Sequence, residues 1–229
     1  MKQLISCMII FLMIIGLTGC GWTKSNGSKS STPKPQPPKQ ITETNPKKEP
    51  GQVIPGKVQA LRPADFFPLA TGFIWKYQGE GNEYATFKRI VYTTKGNLAQ
   101  IREDNGGTIS ASVFKTTSDA VTRIFFRGEV YKYKSFLSEK PNENTIILKS
   151  PLEVGTKWKD QNGTKEIVGL NTSVFTPAGL YSNCLELKIS NENSTVYEYY
   201  KKGVGMVKRE FVSGETKITS SLQRFSSPK

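Results

Sequence analysis

The chain has 229 residues, with 32 Lys and Arg against 19 Asp and Glu, a net charge of +13, no histidine and three cysteines. Without histidine no Ser-His-Asp triad and no Cys-His pair can form inside the chain. The commonest metal ligand is missing too, and the cysteines are too few for a thiolate cage, so no metal or other cofactor is expected.

Three zones open the sequence in order. Lys2 supplies a positive start, residues 4–17 form an almost unbroken apolar run, and Leu17-Thr18-Gly19-Cys20 follows. A charged start, a short apolar stretch and small residues at a cut describe a secretory signal. The run is shorter than the roughly 20 apolar residues that span a bilayer core. Leu17-Thr18-Gly19-Cys20 resembles the lipobox of bacterial lipoproteins. The resemblance implies that residues 1–19 are removed as a signal peptide and that Cys20 is diacylated on sulfur. Buried acyl chains contribute about 0.8 kcal/mol per methylene, so two chains hold stably. The expected address is the extracytoplasmic face of a cell membrane, reached through lipid on Cys20.

The composition shifts over residues 20–58. Ser, Lys, Gly and Pro dominate, with prolines at 33, 35, 37, 38, 46, 50 and 55. Such a segment buries too little apolar surface to offset the entropy of ordering, so a disordered tether is expected. Proline-rich chain extends by about 3.1 Å per residue, which gives a reach on the order of 100 Å.

Residues 59–229 suit a single domain. A domain of this size buries about 70% of its unfolded surface and needs no disulfide to fold. Cys184 is the only cysteine beyond position 20, so none can form within it. A short helical turn is expected over 63–67, with Pro63 at its start. Phe66, Phe67, Leu69, Phe73 and Trp75 are too apolar for a loop and are expected to plug one end of the core. Alternation and β-branched or aromatic enrichment then predict strands over 73–77, 85–94, 98–102, 108–113, 121–126, 130–137, 145–148, 165–175, 184–189, 195–201, 204–212 and 217–225. Asn105-Gly106-Gly107, Asn162-Gly163 and residues 191–193 read as hairpin turns. Gly203 and Gly205 suggest a tight turn or a bulge.

About a dozen short strands joined by short turns predict an all-β fold. A flat sheet of that many strands is unusual. The expected architecture is therefore an antiparallel meander curled into a half-barrel or an up-and-down barrel, with a two-sheet sandwich as the alternative.

Four phrases recur together in order: Phe67-Pro68-Leu69 with Gly72, Trp75 and Tyr77; Pro151-Leu152 with Gly155 and Trp158; Pro177-Ala178-Gly179 with Tyr181, Asn183, Cys184 and Leu185; and Tyr199-Tyr200 with Gly203, Val204, Gly205 and Val207. In this order they resemble a broad group of bacterial exported proteins and lipoproteins to which no reaction is assigned. The resemblance implies a β-rich envelope domain and carries over no activity.

Little in the domain calls for catalysis. The chain has no nucleophile elbow, phosphate loop or acidic calcium loop. Cys184 has no cation nearby along its strand and reads as an apolar filler. Paired carboxylates could still serve a hydrolase of wall polymer, with Glu129, Glu153, Glu166, Glu186, Glu198 and Glu210 as candidates, but no motif selects two of them. A non-enzymatic binding or assembly module at the cell wall is the leading expectation, with a lipid-binding curved sheet as a variant. The basic balance of the domain fits anionic wall polymer or an acidic protein partner and not nucleic acid. Arg123, Arg127, Lys132 and Lys134 fall on two expected neighbouring strands and are the candidate contact with an anionic surface.

Overall fold

The computed structural model describes residues 60–227. The signal segment, Cys20 and the whole of the expected tether lie outside those residues. Twelve strands form one antiparallel sheet in the order β6-β5-β4-β3-β2-β1-β12-β11-β10-β9-β8-β7. In chain order they are β1 (Ile74–Glu80), β2 (Phe87–Lys95), β3 (Leu98–Asp104), β4 (Ile109–Thr116), β5 (Ala120–Arg127), β6 (Thr145–Lys149), β7 (Lys157–Asp160), β8 (Gly163–Thr176), β9 (Gly179–Ser190), β10 (Thr195–Lys201), β11 (Gly205–Ser213) and β12 (Thr216–Ser226). The first and last strands pair at the centre, so the two edges, β6 and β7, are consecutive in the chain. The sheet twists into a nearly closed barrel, as the strand count demands, and not into a sandwich.

Side chains close the seam where the edges meet. The Trp158 indole on β7 donates to the carbonyl of Ile146 on β6 at 3.2 Å. The Lys165 ammonium on β8 donates to the same carbonyl at 2.5 Å. The Gln161 and Asn162 amides reach the Thr145 hydroxyl at 3.1 and 3.4 Å. An edge strand normally exposes a row of unpaired backbone groups, and these contacts cover part of that row.

One end of the barrel is plugged as the sequence suggests. Helix α1 (Pro63–Phe66) begins at Pro63, and Phe66 and Phe67 are buried in the main core. The Phe67 ring lies 5.1 Å from Phe114 and 6.3 Å from Tyr200. The Trp75 indole donates to Val204 O at 2.6 Å, and the Tyr77 hydroxyl to Met206 O at 2.8 Å. Gly203 and Gly205 both take positive φ, which permits the tight β10–β11 turn beneath these contacts.

Two strand expectations need correction. Residues 130–137 form no strand. They belong to a strap, residues 128–144, that crosses the outside of β3, β4 and β5. There Phe136 packs with Ala111, Val113 and Phe125 in a second small core. Two side-chain amides and a few backbone bonds tie the strap to the sheet in place of a ladder. Gln100 donates to Lys134 O at 2.8 Å and accepts from Phe136 N at 2.7 Å. Asn142 brackets both backbone groups of Phe126 at 2.9 Å. Conversely, β7 is a strand that alternation did not predict, because four residues reading Lys-Trp-Lys-Asp hold a single apolar side chain.

Candidate functional site

Alternation within a closed sheet sends every second side chain inward. Below, near the plug, the inward residues are apolar and fill the space: Val91, Ile101, Val121, Leu148, Ile167 and Val207 are all buried. Further along the same strands the inward residues turn polar. Arg89 follows Val91 in the inward row of β2, Glu103 follows Ile101 on β3, and Arg209 follows Val207 on β11. The open half of the lumen is therefore a cavity of about 580 Å³ with a charged wall.

Its charges are paired across neighbouring strands. Arg89 lies opposite Glu103 in the β2–β3 register and donates through Nε and Nη2 to Oε2 at 2.9 and 2.6 Å. The Arg89 guanidinium also lies over the Phe87 ring, 5.2 Å from its centre. Glu198 lies opposite Arg209 in the β10–β11 register. Arg209 donates to its Oε1 through Nε at 2.8 Å, and Nη2 lies 2.8 Å from the same oxygen. Arg123 on β5 grips Glu143 with Nε to Oε2 at 2.7 Å and Nη2 to Oε1 at 3.3 Å. Lys165 pairs with Asp160 at 2.8 Å, and both are almost wholly buried.

Two of these pairs hold their carboxyls ionised. Burial works against ionising Glu103, but Arg89, Arg209 and Arg123 outweigh it and hold the carboxyl below the ordinary range. Burial opposes ionisation of Glu198 as well; Arg209, the Tyr200 hydroxyl and Lys165 overcome it in the same direction. Burial, and next to it the Glu198 charge, push the Tyr200 phenol far above its usual value, so Tyr200 is a fixed donor.

The residues singled out from sequence are dispersed. Arg123 points into the lumen. Arg127 sits on the outer face over the Phe125 and Phe136 rings, at 5.6 and 5.3 Å. Lys134 covers Phe136 from the strap, with Nζ 5.2 Å from the ring centre, and pairs with Glu139 at 3.1 Å. Lys132 is exposed on the same strap. The four thus form no single surface. Of the six candidate glutamates only Glu198 faces the lumen. Glu129 and Glu153 are exposed, Glu166 pairs with Lys157, Glu186 bonds Thr172, and Glu210 pairs with Lys208 and Lys217. Cys184 is fully buried, and burial raises its thiol pKa.

Sequence reasoning missed Arg89, Glu103, Glu143, Lys165 and Arg209. A signal was present: a charge at an inward position of an alternating strand, as at Arg89 beside Val91. What alternation lacks is cross-strand register, which decides whether such charges meet.

The chain matches no protein-family model and no curated protein. Among solved structures it is similar to a candidate lipoprotein from Parabacteroides distasonis, with 16% identity over 70% of this chain and 98% of that one and a TM-score of 0.38. It is also similar to a candidate exported protein with a YmcC-like fold from Bacteroides fragilis, with 14% identity over 71% of this chain and 99% of that one and a TM-score of 0.37.

Proposed function

We propose that the protein is a membrane-tethered, non-enzymatic binding module, anchored through lipid on Cys20 at the extracytoplasmic face, that takes a polar ligand in its barrel lumen. The observation that carries this is the cavity of about 580 Å³, which stays open between charged walls while the rest of the interior is filled. That volume falls within the range of small-molecule sites. Buried ion pairs rarely outdo apolar packing in stability, so a wall of them calls for a reason other than stability.

The two rival readings fit less well. A lipid site needs an apolar groove, and this wall carries Arg89, Arg123, Lys165, Glu198 and Arg209 among its apolar residues. A carboxylate hydrolase needs one carboxyl held protonated as the general acid. Glu198, the acid facing the cavity, is instead held ionised by Arg209 and Tyr200. The test is native mass spectrometry of the protein purified from its own host. A retained polar small molecule is expected, and a retained lipid would overturn the reading. For the anchor, Cys20→Ala should abolish labelling by radioactive fatty acid, and unchanged labelling would remove the lipid attachment.

A further inference from the structure

Taking that lumen reading as its basis, we infer that the ligand is an oxyanion, one that carries phosphate or carboxylate groups and is received by the free edges of Arg89, Arg123 and Arg209. The cavity wall is charged unevenly. Arg89, Arg123, Lys165 and Arg209 line it, but Glu198 is the only carboxylate that does. Glu103, Glu143 and Asp160 are not among the lining residues, and each is bonded to one of these cations. Four cations thus stand against one carboxylate in the lining itself, although the network as a whole is balanced.

The bonding pattern points the same way. A guanidinium carries five N–H groups. Each of the three arginines turns Nε and Nη2 to its carboxylate, and no hydrogen bond engages the remaining terminal nitrogen, Nη1, within the described residues. The carboxylates thus act as supports. They lock each guanidinium plane in place and leave an edge of two N–H groups unspent. Donors held in place before binding lose little entropy when a ligand arrives. Three arginines rather than lysines suit planar or tetrahedral oxyanions, which accept paired N–H bonds. Phe114 and Phe211 line the same cavity and offer an apolar flank for the ligand's body.

The experiment is calorimetric titration of detergent-solubilised full-length protein with three probes: inorganic pyrophosphate, citrate and neutral maltose. Amide chemical shifts of Thr145 and Asn162 report whether the lumen is the place of binding. Pyrophosphate or citrate should bind one to one and move those amides, and maltose should not. Pyrophosphate alone identifies phosphate as the recognised group, and citrate alone identifies carboxylate. The double variant Arg123→Gln/Glu143→Gln removes a whole pair and strands no charge, so it should fold. It should bind the anion at least about tenfold more weakly, since one charged contact of this kind is commonly worth that much. Arg127→Gln on the outer face should bind as the wild type does. Equal anion affinity in the double variant overturns the proposal. If a neutral ligand occupies the lumen and neither anion displaces it, the anion assignment falls and the lumen reading stands. If the protein leaves its host empty and no probe moves the lumen amides, both fall.

Discussion

Arg209 holds Nε and Nη2 each 2.8 Å from one oxygen of Glu198, and the Tyr200 hydroxyl donates to the other oxygen at 2.5 Å. Both oxygens of a carboxylate that is only 8% exposed are thereby occupied. Its folded pKa is depressed despite burial. A depressed carboxyl contributes stability above its unfolded pKa of about 4.3 and loses it as pH falls through the folded value. Glu198→Gln should destabilise the barrel at pH 7 by about 2–3 kcal/mol. That is less than the 3–5 kcal/mol of a fully buried pair, because Arg209 keeps access to the cavity. The gap to wild type should narrow as pH drops from 5 to 3. Thermal melts across that range measure it, and a gap independent of pH would mean that Glu198 is not ionised in the fold.

The fold was largely legible, and the lumen was not, for a physical reason. Alternation depends only on neighbouring residues, so Leu185, Leu187 and Ile189 announce β9 without knowledge of the rest. The plug was equally local, since Phe66 and Phe67 are too apolar for a loop. Arg89 and Glu103, by contrast, become partners only because a two-residue turn after Lys95 and a one-residue register shift at Tyr92 together set the β2–β3 pairing. Arg123 faces inward opposite Phe114, whereas a register shift just beyond that pair sets Phe125 opposite Val113 in the outer core. The strap was misread for a related reason. Val130, Tyr131 and Tyr133 have strand-forming side chains, but the strap is tied to the sheet by two amides and not by a ladder: Gln100 of β3 bonds the backbone of Lys134 and Phe136, and Asn142 of the strap bonds the backbone of Phe126.

At the seam the barrel is held by side chains, and their loss should differ in kind. Trp158→Phe removes one donor to Ile146 O, which keeps its bond from Lys165. The cost should be about 1 kcal/mol. Lys165→Met leaves Asp160 buried and unpaired, which should cost about 3–5 kcal/mol. Amides of β6 and β7 should exchange with deuterium faster than those of β1 and β12, which have a strand partner on each side. Equal exchange at the seam and at the centre would mean that the two edges are joined by a backbone ladder.

Cys184 should behave as core. It is fully buried, its sulfur bonds the Tyr181 carbonyl at 3.5 Å, and burial raises its pKa, with Lys201 acting weakly in opposition. Cys184→Ser should cost about 1–2 kcal/mol through burial of a hydroxyl and leave ligand binding intact. Native protein should react with thiol reagents only through opening events, slowly compared with unfolded chain. Fast labelling in the native state would refute a structural role.

The strap offers the sharpest test of how the outer face is held. Phe136 is 2% exposed, and its ring stacks 5.1 Å from Phe125. Arg127 and Lys134 lie over the same ring at 5.3 and 5.2 Å. Phe136→Ala deletes a buried aromatic and leaves a cavity against Val113 and Ala111, so about 3–5 kcal/mol should be lost. Phe136→Leu keeps apolar filling but gives up the stack and both cation–π contacts, and should cost less, about 1–2 kcal/mol. Lys132→Ala, on the exposed strap surface, should stay within about 0.5 kcal/mol of wild type. Without its anchor the strap should detach before the barrel unfolds, so limited proteolysis of Phe136→Ala should cut between residues 128 and 144 while the rest stays intact. If cleavage instead begins in the barrel strands, or if Ala and Leu cost the same, the strap is held by the Gln100 and Asn142 amides and not by Phe136.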